Sequence, residues 1–129
     1  CCAIDYDTLT LEYAGAFNPL YLLRDGEIEQ IKANKFPIGS FLDGRDDQFT
    51  NHTLQLKKGD VLYVFSDGYA DQFGGPRSKK MMYRRFRELL LSICDLPMEE
   101  QSSRLNDFLT SWMGQEEQVD DIIVMGVRV

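Results

Sequence analysis

A chain of 129 residues with 43% apolar and 27% charged side chains has a globular composition, large enough for one compact core and too short for two ordinary domains. The formal net charge of −7 excludes the broad basic surface that a phosphate backbone requires, and no run approaches the ~18 apolar residues that cross a bilayer, so neither nucleic acid nor membrane contact is expected. Three cysteines, none in CxxC spacing, exclude a disulfide framework and a zinc site and fit a reducing cytoplasm.

In chain order, Cys1 to Ile4 reads as a strand, which implies that a segment precedes it. Period-2 patterning then marks Leu9–Tyr13, Leu20–Arg24 and Glu27–Ile31, the last two joined through Asp25-Gly26, the dipeptide of a tight hairpin. Phe36 to Asp47, with Pro37, Gly39 and Gly44 among aspartates, reads as a loop whose acids form turns. A strand near Thr53–Leu56 carries His52, a lone imidazole that reads as an ordinary strand residue. Lys58-Gly59-Asp60 leads into the apolar run Val61–Phe65.

After Gly74-Gly75 the period changes to 3.6. Met82, Phe86, Leu89, Leu90 and Ile93 form one stripe, with Lys79, Lys80, Arg84, Arg85 and Arg87 mostly off it. This basic back is either a solvated face or a docking face for an acidic or phosphorylated partner. Cys94 reads as a small core residue. A second helix starts near Pro97, carries Leu105, Phe108, Leu109 and Trp112 inward and ends at Gly114. A last strand follows, Ile122–Val127. Strands, two helices and a final strand predict an α+β fold with a mostly antiparallel sheet and the helices on one face.

Two acidic segments carry the chemistry. Asp67 stands where the run Val61–Phe65 stops, followed by Gly68 and Asp71, while Gln118-Val119-Asp120-Asp121 opens the last strand. If these two strands are antiparallel neighbours, the end of one and the start of the other share a sheet edge, and only one of Asp120 and Asp121 shares a face with Asp67. Converging carboxylates without thiolate or imidazole suit a hard cation, Mg²⁺ or Mn²⁺. Asp-Gly is also a common turn, so the bare motif fits a plain strand end as well.

Taken together, Leu11–Leu20, Phe36-Pro37-Ile38-Gly39, Lys58-Gly59-Asp60, Ser66–Asp71 and Gln118–Asp121 resemble, in order, the C-terminal half of the bacterial metal-dependent protein serine/threonine phosphatases, the type 2C-like PPM family in its SpoIIE/RsbU-like branch. The resemblance implies that residues 1–129 are the C-terminal portion of a single phosphatase domain, part of an α-β-β-α sandwich whose second sheet and second helical layer lie outside the chain. It implies that Asp67 and Asp120 are catalytic ligands of two Mn²⁺ or Mg²⁺ ions, with Asp71 a further metal-site acid and Gly68 and Asp121 in support. The remaining metal carboxylates would come from an N-terminal half, so the isolated chain is expected to hold metal weakly, to be inactive and to self-associate as a homodimer, through the edge strand near Cys1 to Ile4. Where many members carry Ala-Gly-His-Asn-Pro, this chain has Ala14-Gly15-Ala16-Phe17-Asn18-Pro19, so no histidine role transfers. The implied reaction is hydrolysis of phosphoserine or phosphothreonine, for example on an anti-sigma-factor antagonist, under an upstream sensor domain. The alternative is a non-catalytic interaction module in a signalling protein.

Overall fold

The structure, a computed structural model, describes residues 1–39 and 48–129; part of the Phe36–Asp47 loop expectation thus lies outside the described residues. The strands are β1 (Cys2–Asp5), β2 (Thr10–Tyr13), β3 (Leu20–Arg24), β4 (Glu27–Ile31), β5 (His52–Gln55), β6 (Val61–Phe65), β7 (Phe73–Gly74), β8 (Lys79–Lys80) and β9 (Val124–Arg128). The helices are α1 (Gly68–Asp71), α2 (Met82–Ile93) and α3 (Met98–Met113).

The apolar runs of β3 and β6 are buried on both faces, as befits central strands covered from two sides. They form the middle of a four-stranded antiparallel sheet of order β4-β3-β6-β9. Asp25 and Gly26 both hold positive φ, 52° and 76°, which turns β3 into β4 with the twist a two-residue hairpin needs. On one face Tyr21, Leu23, Val61, Tyr63 and Phe65 pack against Tyr69, Phe86, Leu90, Ile93 and Leu105 of the helices. On the other, Leu20, Leu22, Ile31 and Leu62 meet Leu11, Tyr13 and Leu56.

That second cluster corrects one expectation. Strands β1, β2 and β5 do not extend the central sheet but form a separate three-stranded antiparallel sheet across its face, so the second sheet of the sandwich begins within this chain. Short alternating strands such as β2, buried at Leu11 and Tyr13 and exposed at Glu12, have one apolar face, and the sheet side of β3 and β6 is the surface that buries it. His52 lies in β5 and stacks on Tyr13 at 6.2 Å between ring centroids, and Cys94 packs at the edge of the helix-side core.

Helices α2 and α3 are joined by a buried amide. The Tyr63 hydroxyl donates to Gln101 Oε1, and Gln101 Nε2 donates to the carbonyls of Cys94 (3.1 Å) and Leu96 (2.8 Å), partnering acceptors that the end of α2 leaves open. Burial pushes the Tyr63 pKa up to about 12, keeping the phenol a neutral donor. Edge strand β9 and the residue before it leave Ile123, Met125 and Val127 exposed, and β1, an edge strand of the three-stranded sheet, is also largely exposed.

Candidate functional site

β6 and β9 pair antiparallel, Phe65 opposite Val124, so the exit of one and the entry of the other do meet at one sheet edge. Beyond the last ladder pair, Ser66 continues the stitching. Its N–H donates to the Ile123 carbonyl (3.0 Å), its hydroxyl donates to the Asp121 carbonyl (2.7 Å), and the Ile123 N–H donates back to that hydroxyl (3.0 Å). Gly68 completes the contact: a Cβ built there would lie 2.4 Å from the Asp121 carbonyl oxygen, which a side chain cannot tolerate. Asp67 is therefore held between two residues that both touch the Asp121 backbone.

Asp67 also opens α1, with its carbonyl accepting from the Asp71 N–H at 2.9 Å. Its carboxylate is exposed and has no hydrogen-bond or ion-pair partner among the described residues. Asp71 lies one turn on, and Lys80 Nζ reaches its carboxylate at 2.8 Å. Asp120 Oδ1 accepts the Asp121 N–H at 2.7 Å, while Gln118 Nε2 donates to the Asp120 carbonyl at 2.8 Å, and residues 118–121 line a shallow depression. Asp121 thus meets the β6 exit through its backbone carbonyl. The alternation of β9 extends as far as Ile122, which packs with Val124 on the helix side.

Three residues near these carboxylates make contacts that the sequence pattern does not announce. Ser66 is the stitch just described. Lys80 reads as part of a helix back, yet β8 pairs with β7, Phe73 opposite Lys80, and this two-strand ribbon brings the ammonium to Asp71. Burial raises the Tyr83 pKa, and the charges of Asp67 and Asp71 add to the shift, so this hydroxyl sits in the field of both. Behind the site, the Tyr69 hydroxyl donates to the Leu105 carbonyl and Trp112 Nε1 to the Gln72 carbonyl, fastening α1 and the ribbon to α3.

Oxygen donors alone, with no imidazole or thiolate, fit a hard divalent cation. They fit it as part of a shell, since among the described residues no three His, Cys, Asp or Glu side chains form a group able to hold a metal. Asp67 has both oxygens uncommitted and Asp120 has one, whereas Asp71 is shared with Lys80.

The family model "Stage II sporulation protein E (SpoIIE)" matches residues 1–129, the whole chain. The chain belongs to the SpoIIE family. This SpoIIE-family chain is similar to the SiaA-PP2C domain of Pseudomonas aeruginosa, with 30% identity and a TM-score of 0.81 over 93% of the chain and 46% of that domain. The Mn-presoaked phosphatase domain of the cell fate determinant SpoIIE from Bacillus subtilis shares its fold at 20% identity and a TM-score of 0.71, covering all of this chain and 54% of that one. The RsbU and RsbW domains of a Mycobacterium tuberculosis protein share it at 21% identity and 0.67, over 98% and 34%. The chain therefore spans about half or less of each of these structures. No curated protein matches it significantly. The α+β fold is that of PP2C-type phosphatase domains, and no helix among the described residues is long and apolar enough to cross a membrane.

Proposed function

We propose that the protein containing this chain is a metal-dependent protein serine/threonine phosphatase, and that residues 1–129 are the C-terminal portion of its catalytic domain. The reading is supported above all by the stitch from Ser66 and Gly68 to the Asp121 carbonyl, which fixes the two acidic segments, otherwise far apart in sequence, at a common edge. Asp67 and Asp120 would hold the metal, with Asp71 beside them. A bound pair of Mn²⁺ or Mg²⁺ ions supplies charge to the phosphoryl oxygens and acidifies a water.

This chain's own contribution is positional and electrostatic. Asp67 presents, from the rigid end of a central strand, a carboxylate without a partner among the described residues. Lys80 neutralises Asp71 in part, limiting the like-charge repulsion that Asp67 would otherwise feel. The Asp120 carboxylate is oriented by the N–H of Asp121. Remaining ligands would come from water, substrate and residues outside this chain.

The substrate class in this proposal is phosphoserine or phosphothreonine on a signalling protein, such as an anti-sigma-factor antagonist, in the cytoplasm and under a regulatory domain on the same polypeptide. Self-association belongs to the same reading, through the exposed edges at β1 and along Ile123, Met125 and Val127. The test is hydrolysis of p-nitrophenyl phosphate and of a phosphoserine peptide by the full-length protein. Turnover should require added Mn²⁺ or Mg²⁺ and stop with EDTA; turnover insensitive to EDTA, or none with either metal, overturns it.

A further inference from the structure

In a chain of net charge −7, six of the fourteen lysines and arginines fall within residues 77–87, a stretch with no Asp or Glu. The fold turns this stretch into the wall of a groove. The β7–β8 ribbon and the first turns of α2 enclose a cavity of about 650 Å³, lined by Arg77, Lys79, Lys80, Arg84 and Arg85, with Trp112 among its apolar lining. Five cations meet one lining carboxylate, Glu88, which Arg84 already holds at 2.9 Å.

The cations are not equivalent. Arg85 stacks over the Trp112 ring at 4.3 Å, which fixes its guanidinium plane on a rigid support. Lys80 reaches back to Asp71, so the groove opens within one ion pair of the candidate metal carboxylates. Arg77 and Lys79 make no ion pair among the described residues and are exposed. Within the lining, Met82 leaves apolar surface open and holds a φ of 69°, a backbone state that costs energy in a residue with a side chain. Arg84 on the helix has its i,i+4 partner in Glu88, as a solvated helix back does, whereas Arg77 and Lys79, on the ribbon that reaches the acidic site, have no ion pair among the described residues.

We propose that this groove docks an acidic flank of the phosphorylated substrate segment, so that the enzyme selects phosphoserine or phosphothreonine with glutamates or aspartates nearby. The proposal deepens the phosphatase reading and rests on it. The geometry divides the labour by charge: the acidic edge at Asp67 and Asp120 repels carboxylates unless cations intervene, while the basic groove, beginning at Lys80, attracts them. A substrate segment carrying acids on one side of its phosphorylated residue is oriented by that opposition, and its encounter is steered.

The experiment uses the full-length protein and two fluorescein-labelled phosphoserine peptides of equal length, one flanked by four glutamates and the other by four glutamines. Binding is followed by anisotropy in EDTA, where turnover does not interfere, and p-nitrophenyl phosphate hydrolysis with Mn²⁺ is measured separately. The glutamate peptide should bind roughly tenfold more tightly than its glutamine counterpart, and an Arg77→Gln, Lys79→Gln double variant should lose most of that preference. Arg84→Gln, on the helix wall, should show a smaller loss in the same direction and keeps the test open if the ribbon variant melts early. Equal affinity for the two peptides, or a preference unchanged in both variants, overturns the groove assignment even if phosphate ester hydrolysis is robust. Preference without any hydrolysis overturns the phosphatase reading instead, and a single-stranded oligodeoxynucleotide that outcompetes the glutamate peptide reassigns the groove to nucleic acid.

Discussion

The two ends of β6 each carry an aspartate, and the two are treated in opposite ways. Asp60, before the strand, is 2% exposed, and its carboxylate takes Arg24 in a two-point contact, Nε at 2.9 Å and Nη2 at 2.5 Å, plus the Lys57 N–H at 2.8 Å. Its backbone also receives the chain end, the Val129 N–H donating to its carbonyl at 2.9 Å. Asp67, after the strand, is exposed with no partner for its carboxylate among the described residues, although the backbone on both sides is tightly held. One aspartate is committed to structure; the other is rigidly presented and, among the described residues, uncommitted. A turn-forming aspartate uses its side chain locally, as Asp60 does, so the contrast is the best internal argument that Asp67 serves something outside the fold.

The largest effect that could break this contrast is on turnover. In the full-length protein, Asp67→Asn and Asp120→Asn should each lower metal-dependent hydrolysis by roughly 10²–10³-fold with the thermal melting curve unchanged, because each removes a charge from the metal clamp and no packing. Either variant hydrolysing at the native rate would put Asp67 back in the class of Asp60.

Next in size is the structural aspartate. Asp60→Asn should cost about 2–3 kcal/mol in denaturant unfolding, below the range for fully buried pairs because the Arg24 side chain is 26% exposed. Burial alone would push the Asp60 pKa up, but the hydrogen bonds and charge of Arg24 and the Lys57 N–H bring it below the usual carboxylate value. A depressed folded-state pKa stabilises above the unfolded pKa of about 4, and that contribution is lost as pH falls through the lower folded value. The acid limb of the stability profile below about pH 4 should therefore be shallower in Asp60→Asn than in the native protein.

Smaller again is the wedge test. Gly68→Ala inserts a Cβ against the Asp121 carbonyl, 2.4 Å away before relaxation, and should cost about 1–3 kcal/mol while moving the 120–123 segment away from Asp67. Activity should fall more than stability explains; a proportional loss would mean that the spacing of the two acidic segments is unimportant. Ser66→Ala, which deletes one donor and one acceptor of the stitch, should cost only about 1 kcal/mol by chemical denaturation.

Much of this was readable in one dimension. The β3–β4 hairpin followed from Asp25-Gly26, the covered strands from the apolar runs of β3 and β6, and α2 from its stripe at Phe86, Leu90 and Ile93. Two elements were not. The one-turn helix α1 at Gly68–Asp71 is too short to show a period, and the β7–β8 ribbon has only two residues per strand, below any alternation signal. Lys79 and Lys80 consequently read as helix back, although they belong to the ribbon wall of the groove.

The sequence by itself determined which of the longer segments become strands and helices and that acids stand at the end of β6 and before β9, because alternation, helical period and turn chemistry act between near neighbours. The tertiary structure alone decided that β1, β2 and β5 cross the sheet side of β3 and β6, that Ser66 finds Asp121 at a separation of 55 residues, and that Arg24 claims Asp60 and leaves Asp67 unclaimed. Such choices depend on which apolar faces fit together and which charges end up adjacent once they do, and burial of a whole face, unlike a local period, is a property of the assembled layers.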